Sequence, residues 1–269
     1  MPPPSDTHTA QIAATAALFY LSHAFDWDYQ CTFFWMNLRM MCDQKQIESP
    51  SAHRFLQWFV ASKSVSTRDL DFNLHLSNSR YSRHADFARF TAIMATGFLP
   101  AVEALDCGLV VSAISQKFRR ELPYGQKYQL WVRFVGWDDR HVYLEHVFCV
   151  SQNESETTTP TTNDDDNDRI RQQVTLNGSA EAVQQVVNLQ TQVFHARPLV
   201  VASILTVRFT TTRTKIGQKI VTPEQIFHHM NLGGELPAVA PPPKDIVDWN
   251  QAVEVSSGRF TKNNMRSKL

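Results

Sequence analysis

The segment that follows Ser77 constrains the fold most, because it has the pattern of a helix that is apolar on most of its sides. Ser77 or Asn78 is a good N-cap, the helix is predicted to run to about Gly97, and Pro100 is expected to act as a stop signal just beyond it. The apolar positions cover more than one narrow stripe: Tyr81, Ala85, Phe87, Ala88, Phe90, Ile93, Met94 and Phe98. Such a helix is usually buried, so other elements must enclose it.

Runs in which apolar and polar residues alternate follow that helix. They span residues 109–119, 128–135 and 142–150, and we interpret them as the strands of an antiparallel meander. A β-branched strand at 199–209 comes next, and then a capped helix that begins at Thr222 or Pro223. One buried helix with consecutive antiparallel strands predicts an α+β fold in which the sheet wraps around the helix. The edges of such a small sheet are commonly covered by a second copy, so we expect a homodimer.

The remaining segments are peripheral by composition. Residues 10–25 carry no formal charge, but the run is shorter than the ~20 apolar residues that a spanning helix needs. Two interpretations stay open: a weak membrane anchor or interfacial helix pair, or an amphipathic hairpin packed on the domain. The predicted organisation is an N-terminal hydrophobic or amphipathic extension at 1–60, a domain at 61–230 with a disordered acidic insertion at about 151–179, and a C-terminal tail at 231–269 with one ordered piece around Trp249.

Charge and cysteine content exclude several classes of function. The 26 basic and 26 acidic residues cancel, so no global field attracts nucleic acid, and we expect no nucleic-acid partner. The four cysteines, Cys31, Cys42, Cys107 and Cys149, lack zinc-like spacing and are expected to be reduced, buried thiols. Neither a Gly-x-Ser-x-Gly elbow nor a Gly-rich phosphate-binding loop is present. We therefore expect neither a metal ion nor a cofactor.

The stretch from Asp69 to Phe90 concentrates acidic, amide, imidazole and hydroxyl groups in a turn that runs into the central helix. Its pattern, Asp-x-Asp-x-Asn-x-His-x-x-Asn-x-x-Tyr, resembles the hotdog-fold thioesterase family and, within it, the branch of thioesterase superfamily member six. Three segments are similar to that branch and occur in the same order. They are 78–89 (Asn-x-Arg-Tyr-x-Arg-x-x-Asp-Phe-Ala-Arg), 136–140 (Gly-Trp-Asp-Asp-Arg) and a Pro-Glu-containing helix at 222–230. The resemblance covers about residues 25–230.

This resemblance implies a hotdog fold, an antiparallel sheet wrapped around one long central helix, and an acyl-CoA thioesterase activity in lipid metabolism. The branch generally begins with a hydrophobic membrane anchor, whereas the matching stretch here is short and contains histidine. Relative to that branch, we expect the acidic segment at 151–179 to be an insertion between strands. We expect the protein to be membrane-associated, with the endoplasmic reticulum as the first candidate compartment and the cytoplasm as the alternative.

The resemblance also implies roles for residues of the turn. Asp71 falls where many bacterial relatives carry the catalytic aspartate, so it is the first choice for nucleophile or general base. Backbone amides near Asn78, Ser79 and Arg80 would bind the thioester oxygen at the helix N-terminus, which makes Ser79 and Arg80 substrate-binding candidates. His75 or Asn78 would orient a water molecule or bind the carbonyl.

A structural interpretation of the same residues stays open. Asp and Asn in a tight turn before a helix routinely bond local backbone, so Asp71, Asn73 and Asn78 are equally suited to holding the turn in shape. A single histidine such as His75 is more often structural than catalytic. The sequence accordingly predicts an acyl-CoA thioesterase-like protein that hydrolyses an acyl thioester, and the alternative is a non-catalytic hotdog module that binds acyl ligands or a protein partner.

Overall fold

A computed structural model describes residues 14–16, 26–43, 50–151, 172–174, 176–212, 214, 217 and 219–258. The chain forms two compact units, Met1–Glu48 and Ser49–Leu269. Most of the uncharged run at 10–25 and of the acidic insertion at 151–179 lies outside the described residues, so the predictions about an anchor and about disorder stay predictions.

The first unit contains helix α1 (Trp27–Asp43). Tyr29 and Phe33 are half-buried with their ring centroids 4.8 Å apart, whereas Trp27, Phe34 and Trp35 are exposed. Cys31 on this helix is also exposed, so the expectation of a buried thiol is wrong for that residue. Nowhere in the described part of the chain does a helix combine the length and the apolar character that crossing a bilayer requires.

Among its described residues, the second unit contains five strands and six α-helices with defined bounds, and residues 172–173 are also helical. The helices are α2 (Ala52–Leu56), α3 (Asn78–Ala95), α4 (Phe98–Ala104), α5 (Ala180–His195), α6 (Pro223–His229) and α7 (Lys244–Gly258), and a short 3-10 helix spans Thr67–Asp69. The strands are β1 (Phe59–Ser64), β2 (Leu109–Phe118), β3 (Lys127–Trp137), β4 (His141–Ser151) and β5 (Leu199–Thr211). Helix α6 begins after Thr222, which forms the predicted cap as part of a capping box with Gln225.

The five strands form one antiparallel sheet in the order β1-β3-β4-β5-β2. The predicted meander is correct for the β3–β4 hairpin but wrong for β2, which pairs with β5 from Leu109↔Thr211 to Phe118↔Ser203. Alternating hydrophobicity identifies a strand without identifying its partner, because partners are chosen by contacts that are distant in sequence. Strand β2 consequently lies at one edge of the sheet, and β1 lies at the other.

Helix α3 packs across the inner face of this sheet. Its sheet-facing residues Tyr81, Ala85, Ala88 and Ala92 are buried against Phe148 and other apolar side chains of the inner face. Those side chains include Leu130, Val132, Phe134, Leu144, Leu205 and Val207. The α+β class is confirmed, and an antiparallel sheet that encloses one long helix is the hotdog arrangement.

The central helix ends earlier than predicted. It stops at Ala95, and Gly97 adopts a left-handed conformation (φ 78°) that starts the short helix α4. Pro100, predicted to lie beyond the helix as a stop signal, sits in the first turn of α4 instead. Proline is tolerated there because the first-turn N–H groups have no acceptor within the helix.

The outer face of the sheet is also covered. Arg133 on β3 donates to Val187 O (2.9 Å) and Thr191 Oγ1 (2.8 Å) of α5, and it pairs with Glu145 of β4 (2.9 Å). Helix α7 packs farther along the same face, where Ile246 is buried beside Val135 and Tyr143. Both faces of the sheet therefore contribute to packing.

The segment after Asn231 packs on the domain over more of its length than the predicted tail with one ordered piece. Leu232, Leu236 and Ala240 are buried, and Trp249 lies in α7. The N–H of Trp137 donates to Ala240 O at 2.6 Å, and the N–H of Ala240 donates to Trp137 O at 3.0 Å. These residues are apolar and meet a bulged strand end, which the Gly-Gly and Pro-rich composition concealed.

Candidate active site

The polar turn before the central helix is a short hairpin between Asp69 and Ser77. The N–H of Ser77 donates to Asp69 O (2.8 Å), and the N–H of Asp71 donates to His75 O (2.9 Å). Leu74 adopts a left-handed conformation (φ 62°) that allows the tip to reverse. We call this segment the Asp69–Ser77 hairpin.

Asp71 lies at the tip of the hairpin and is exposed. Its Oδ1 accepts hydrogen bonds from the N–H of Asn73 (2.9 Å) and the N–H of His75 (3.3 Å). Its Oδ2 meets no donor among the described residues. One carboxylate oxygen therefore holds the turn, as the structural interpretation expects, and the other is available to a ligand or to water.

His75 is held against the connection between β2 and β3. Its backbone forms a bridge with Pro123, and Leu76 N–H donates to Leu122 O at 2.8 Å. The half-exposed imidazole lies with Nδ1 3.5 Å from the carboxylate of the exposed Glu121. The connection crosses the end of the sheet here, so the position of the hairpin depends on residues about fifty positions away in sequence.

The N-terminus of α3 has no side-chain cap. Ser77 occupies the N-cap position, but its Oγ lies 3.1 Å from Ser79 Oγ and accepts no backbone N–H of the helix. The N–H of Arg80 donates to Ser77 O (2.8 Å), whereas the N–H groups of Asn78 and Ser79 meet no acceptor in the described part of the chain. Both residues are exposed. This end of the helix therefore presents free donors and the positive end of a helix dipole.

The structure brings together three residues that the sequence interpretation did not connect: Asp69, His84 and Tyr128. His84 Nε2 lies 3.1 Å from Asp69 Oδ1, and His84 Nδ1 is hydrogen-bonded to the Tyr128 hydroxyl. Asp69 Oδ2 accepts the hydroxyl of Ser66 (2.6 Å) and the Ser66 N–H (3.0 Å). The exposed fractions of Asp69, His84 and Tyr128 are 7%, 8% and 2%. We refer to them as the Asp69–His84–Tyr128 chain.

Electrostatics assign the protons in this chain. Burial alone would raise the pKa of Asp69, but the hydrogen bonds from Ser66 and the nearby His84 outweigh it and lower that pKa. Burial lowers the pKa of His84, and the positive charges of Lys63 and Arg80 lower it further, whereas the negative charge of Asp69 raises it. Neutral His84 therefore donates a hydrogen bond from Nε2 to the Asp69 carboxylate, and Nδ1 accepts a hydrogen bond from the Tyr128 hydroxyl. The spacings of 15 and 44 residues explain why sequence inspection missed these contacts.

Exposed apolar side chains lie on the hairpin, beside it and on the edge strand β2. Phe72 and Leu74 project from the hairpin, and exposed Tyr124 is adjacent because its N–H donates to Leu74 O (3.1 Å). On β2, Val110, Ile114 and Phe118 are exposed. Within the described residues, no group of three or more His, Cys, Asp or Glu side chains could hold a metal ion.

Comparison with known proteins gives a family match over most of the second unit. The model of the thioesterase-like superfamily matches residues 65–250. Protein THEM6 of Danio rerio is 36% identical over 124 residues, which are 46% of this chain and 58% of that protein. Protein THEM6 of Drosophila melanogaster is 36% identical over 84 residues, 31% of this chain and 44% of that protein.

The chain spans about half the length of the curated relatives it matches. Among solved structures, the probable thioesterase YbaW from Escherichia coli is 14% identical with a TM-score of 0.41, covering 66% of this chain and 98% of that one.

Proposed function

The chain belongs to the thioesterase-like superfamily, and from this premise we propose that it hydrolyses an acyl thioester, with acyl-CoA as the substrate class. The observation that carries the proposal is the uncapped N-terminus of α3, where the exposed N–H groups of Asn78 and Ser79 adjoin the hairpin that bears Asp71. Free donors at a helix N-terminus suit the oxyanion that forms when a thioester carbon is attacked.

Asp71 is the proposed general base. Its Oδ1 is held by the turn while Oδ2 is open, so the carboxylate is fixed in orientation yet able to accept a proton from water. The water oxygen attacks the thioester carbon, the carbonyl oxygen becomes an oxyanion at the amides of Asn78 and Ser79, and the carbon–sulfur bond then breaks. The products are a carboxylic acid and a thiol. A thiolate is a good leaving group, so no strong general acid is needed.

Other predicted site residues take supporting roles in this proposal. The side chain of Asn78 is exposed at the helix start and can orient the attacking water or hold the carbonyl. His75, directed towards Glu121, is a weaker candidate for the same task. Half-buried Arg80 supplies positive charge near the helix start, which suits a phosphate of coenzyme A, and Phe72, Leu74 and Tyr124 offer an apolar surface to the acyl group.

Association with a second copy and with a membrane belongs to the same proposal. Edge strand β2 has one paired side and exposed Val110, Ile114 and Phe118, which suits pairing with another protomer.

The exposed Trp27, Phe34 and Trp35 of α1 suit the interfacial region of a bilayer, with the endoplasmic reticulum as the proposed compartment and the cytoplasm as the alternative. Release of the protein from membranes by a carbonate wash would argue for peripheral attachment, and its recovery in the soluble fraction before washing would refute association.

A non-catalytic acyl-binding module is the second candidate. It is favoured by the two hydrogen bonds that Asp71 Oδ1 accepts, because they give this carboxylate a structural role that needs no chemistry. Such a module would bind acyl-CoA and release it unchanged.

Hydrolysis of acyl-CoA esters of varied chain length by the full chain tests the proposal. Asp71→Asn keeps an Oδ1 that accepts both backbone N–H groups but removes the base, so kcat is expected to fall by about a hundredfold or more while the turn is kept. Asp139→Asn, which neutralises an exposed carboxylate in the β3–β4 turn, is the matched control and should be unchanged. No hydrolysis above background, or equal rates for the wild type and Asp71→Asn, would refute catalysis by Asp71.

A further inference from the structure

The Asp69–His84–Tyr128 chain occupies the junction between the Asp69–Ser77 hairpin and the central helix. Asp69 ends the 3-10 helix before the hairpin, His84 lies in the second turn of α3, and Tyr128 lies near the start of β3. All three are buried, so none of them can touch a substrate bound at the exposed hairpin tip. The cluster therefore acts on the site through other residues or has no part in it.

We propose that His84 is a positioning residue that fixes the Asp69–Ser77 hairpin on the central helix, and thereby the orientation of Asp71 relative to the free amides of Asn78 and Ser79. The inference rests on the proposed thioester hydrolysis for its functional meaning. The link itself is a structural property that can be measured without substrate.

Asp69 connects the hairpin to the helix at two points. Its backbone oxygen accepts the N–H of Ser77, the N-cap residue of α3, and its side chain bonds His84 about two turns farther along the same helix. Ser66 holds the other carboxylate oxygen with two hydrogen bonds. The carboxylate is thus bound on both sides, and a change at His84 releases one of them.

Asp69 fixes the direction in which His84 donates, and Tyr128 is compatible with it. Because the Asp69 carboxylate can only accept, the proton of neutral His84 lies on Nε2, and Nδ1 is left to accept a hydrogen bond from the tyrosine hydroxyl. The charged groups that act on His84 are Asp69, Lys63 of β1 and Arg80 of α3. The two cations disfavour protonation of His84 and so preserve the neutral form, in which Nδ1 is an acceptor.

Two substitutions separate the contacts of His84. A glutamine amide reaches the position of the imidazole Nε2 and can still donate to Asp69. An asparagine amide reaches only the position of Nδ1, so it keeps the hydrogen bond to Tyr128 and loses the one to Asp69. His84→Gln should therefore keep the hairpin in place, and His84→Asn should release it. Tyr143→Phe, which removes a buried tyrosine hydroxyl bonded to Asp138 at the opposite end of the sheet, controls for general loosening.

Hydrogen exchange of the full chain without substrate tests the link. In His84→Asn, the amides of Asp71, Leu74 and Ser77 should exchange about tenfold faster or more, as loss of a hydrogen bond to a charged group implies, while those of β4 and β5 change little. His84→Gln and Tyr143→Phe should stay within about threefold of the wild type at the hairpin. Unchanged hairpin exchange in His84→Asn, or equal acceleration in His84→Asn and His84→Gln, overturns the proposal.

A second pair of variants applies if His84→Asn does not fold. Asp69→Asn weakens the bonds to Ser66 and His84, whereas Tyr128→Phe leaves the bond between Asp69 and His84 in place. The hairpin amides should exchange faster in Asp69→Asn than in Tyr128→Phe. Equal exchange in these two variants would contradict the assignment to His84 and Asp69.

Steady-state kinetics test the functional part. His84→Asn should lower kcat about tenfold with KM within about twofold, because orientation of the base and the oxyanion amides matters in the transition state, and His84→Gln should restore kcat. A kcat that stays at the wild-type value although the hairpin amides exchange faster would overturn the positioning role. A wild type that is inactive on every thioester refutes the proposed function, while the exchange experiment still decides the structural link.

Discussion

At the scale of single residues, two aspartates only two positions apart have opposite environments. Asp69 is buried, and both of its carboxylate oxygens are hydrogen-bonded, so it can neither take up a proton readily nor approach a substrate. Asp71 is exposed and has one open oxygen. The assignment of Asp71 as the candidate base stays a prediction, but the contacts of Asp69 exclude the neighbouring carboxylate from that role.

Buried neutral histidines make stability depend on pH. His146 on β4 is fully buried, and burial, with Arg89 nearby, lowers its pKa to about 3, while burial also lowers the pKa of His84. In the unfolded chain a histidine takes up a proton near pH 6.5, and the folded state does not. The free energy of unfolding is therefore highest above about pH 6.5 and decreases as the pH falls towards the folded pKa. For His146 the decrease is about 1.4 kcal/mol per pH unit, and His84 contributes in the same direction.

The variant His146→Leu checks this prediction. Urea unfolding between pH 7 and pH 5 should show that the free energy of unfolding falls less steeply in His146→Leu than in the wild type. The difference should approach the slope for one bound proton, about 1.4 kcal/mol per pH unit. His229→Leu, which changes an exposed histidine, should keep the wild-type slope. Parallel slopes for the wild type and His146→Leu would mean that His146 is already protonated in the folded state.

At the scale of elements, the chain after α6 is held by a bulge in β3. The register between β3 and β4 shifts at Phe134/Gly136, and residues 240–242 pack directly on Gly136. A Cβ at Gly136 would lie 2.6 Å from Pro242 N and 2.7 Å from Ala240 O. Only a residue without a side chain allows the two segments to approach this closely and to form the paired hydrogen bonds between Trp137 and Ala240.

Gly136→Ala should accordingly destabilise the domain. We expect a loss of about 1–3 kcal/mol in the free energy of unfolding, because backbone atoms cannot move aside without breaking the contact to Ala240. Gly234→Ala, where an added Cβ meets nothing within 4 Å, should change it by less than about 0.5 kcal/mol. Equal unfolding midpoints for the two variants would argue against the tight contact.

At the scale of the whole molecule, described helices cover both faces of the sheet, whereas its edge strands β1 and β2 each pair with one described strand. Helix α3 covers the inner face, and α5 and α7 cover the outer face. Strand β2 has one hydrogen-bonded neighbour and carries exposed apolar side chains. Association through this edge would bury apolar surface and complete the backbone pairing at once.

Ile114→Lys tests whether this edge carries a homodimer. Light scattering coupled to size-exclusion chromatography should give the mass of a dimer for the wild type and of a monomer for Ile114→Lys, because burying a lysine charge in an apolar contact is strongly unfavourable. Val255→Lys, which changes an exposed apolar residue on α7, should remain dimeric. A monomeric wild type would remove the homodimer from the proposed function.

Several features could be predicted from the sequence because they depend on local patterns. The start of the central helix, the β3–β4 hairpin, strand β5 and the Thr222 cap each follow from periodicity, β-branched content or capping residues within a few positions. The family prediction is confirmed by the superfamily match at residues 65–250 and supported at the level of the branch by THEM6 relatives that are 34% and 36% identical. The polar turn is itself a contiguous motif, so its location was available from the sequence.

The tertiary structure alone decided which residues meet across long separations. The pairing of β2 with β5, the packing of residues 232–246 on the domain and the Asp69–His84–Tyr128 chain all join positions that no local pattern relates. Their partners are selected by burial, where each polar group must find a hydrogen bond and each apolar group must exclude water. The sequence by itself therefore determined the family, the α+β class and the turn that bears Asp71, whereas the enclosed geometry of the fold decided that Asp69 is bound to the central helix and Asp71 is left open.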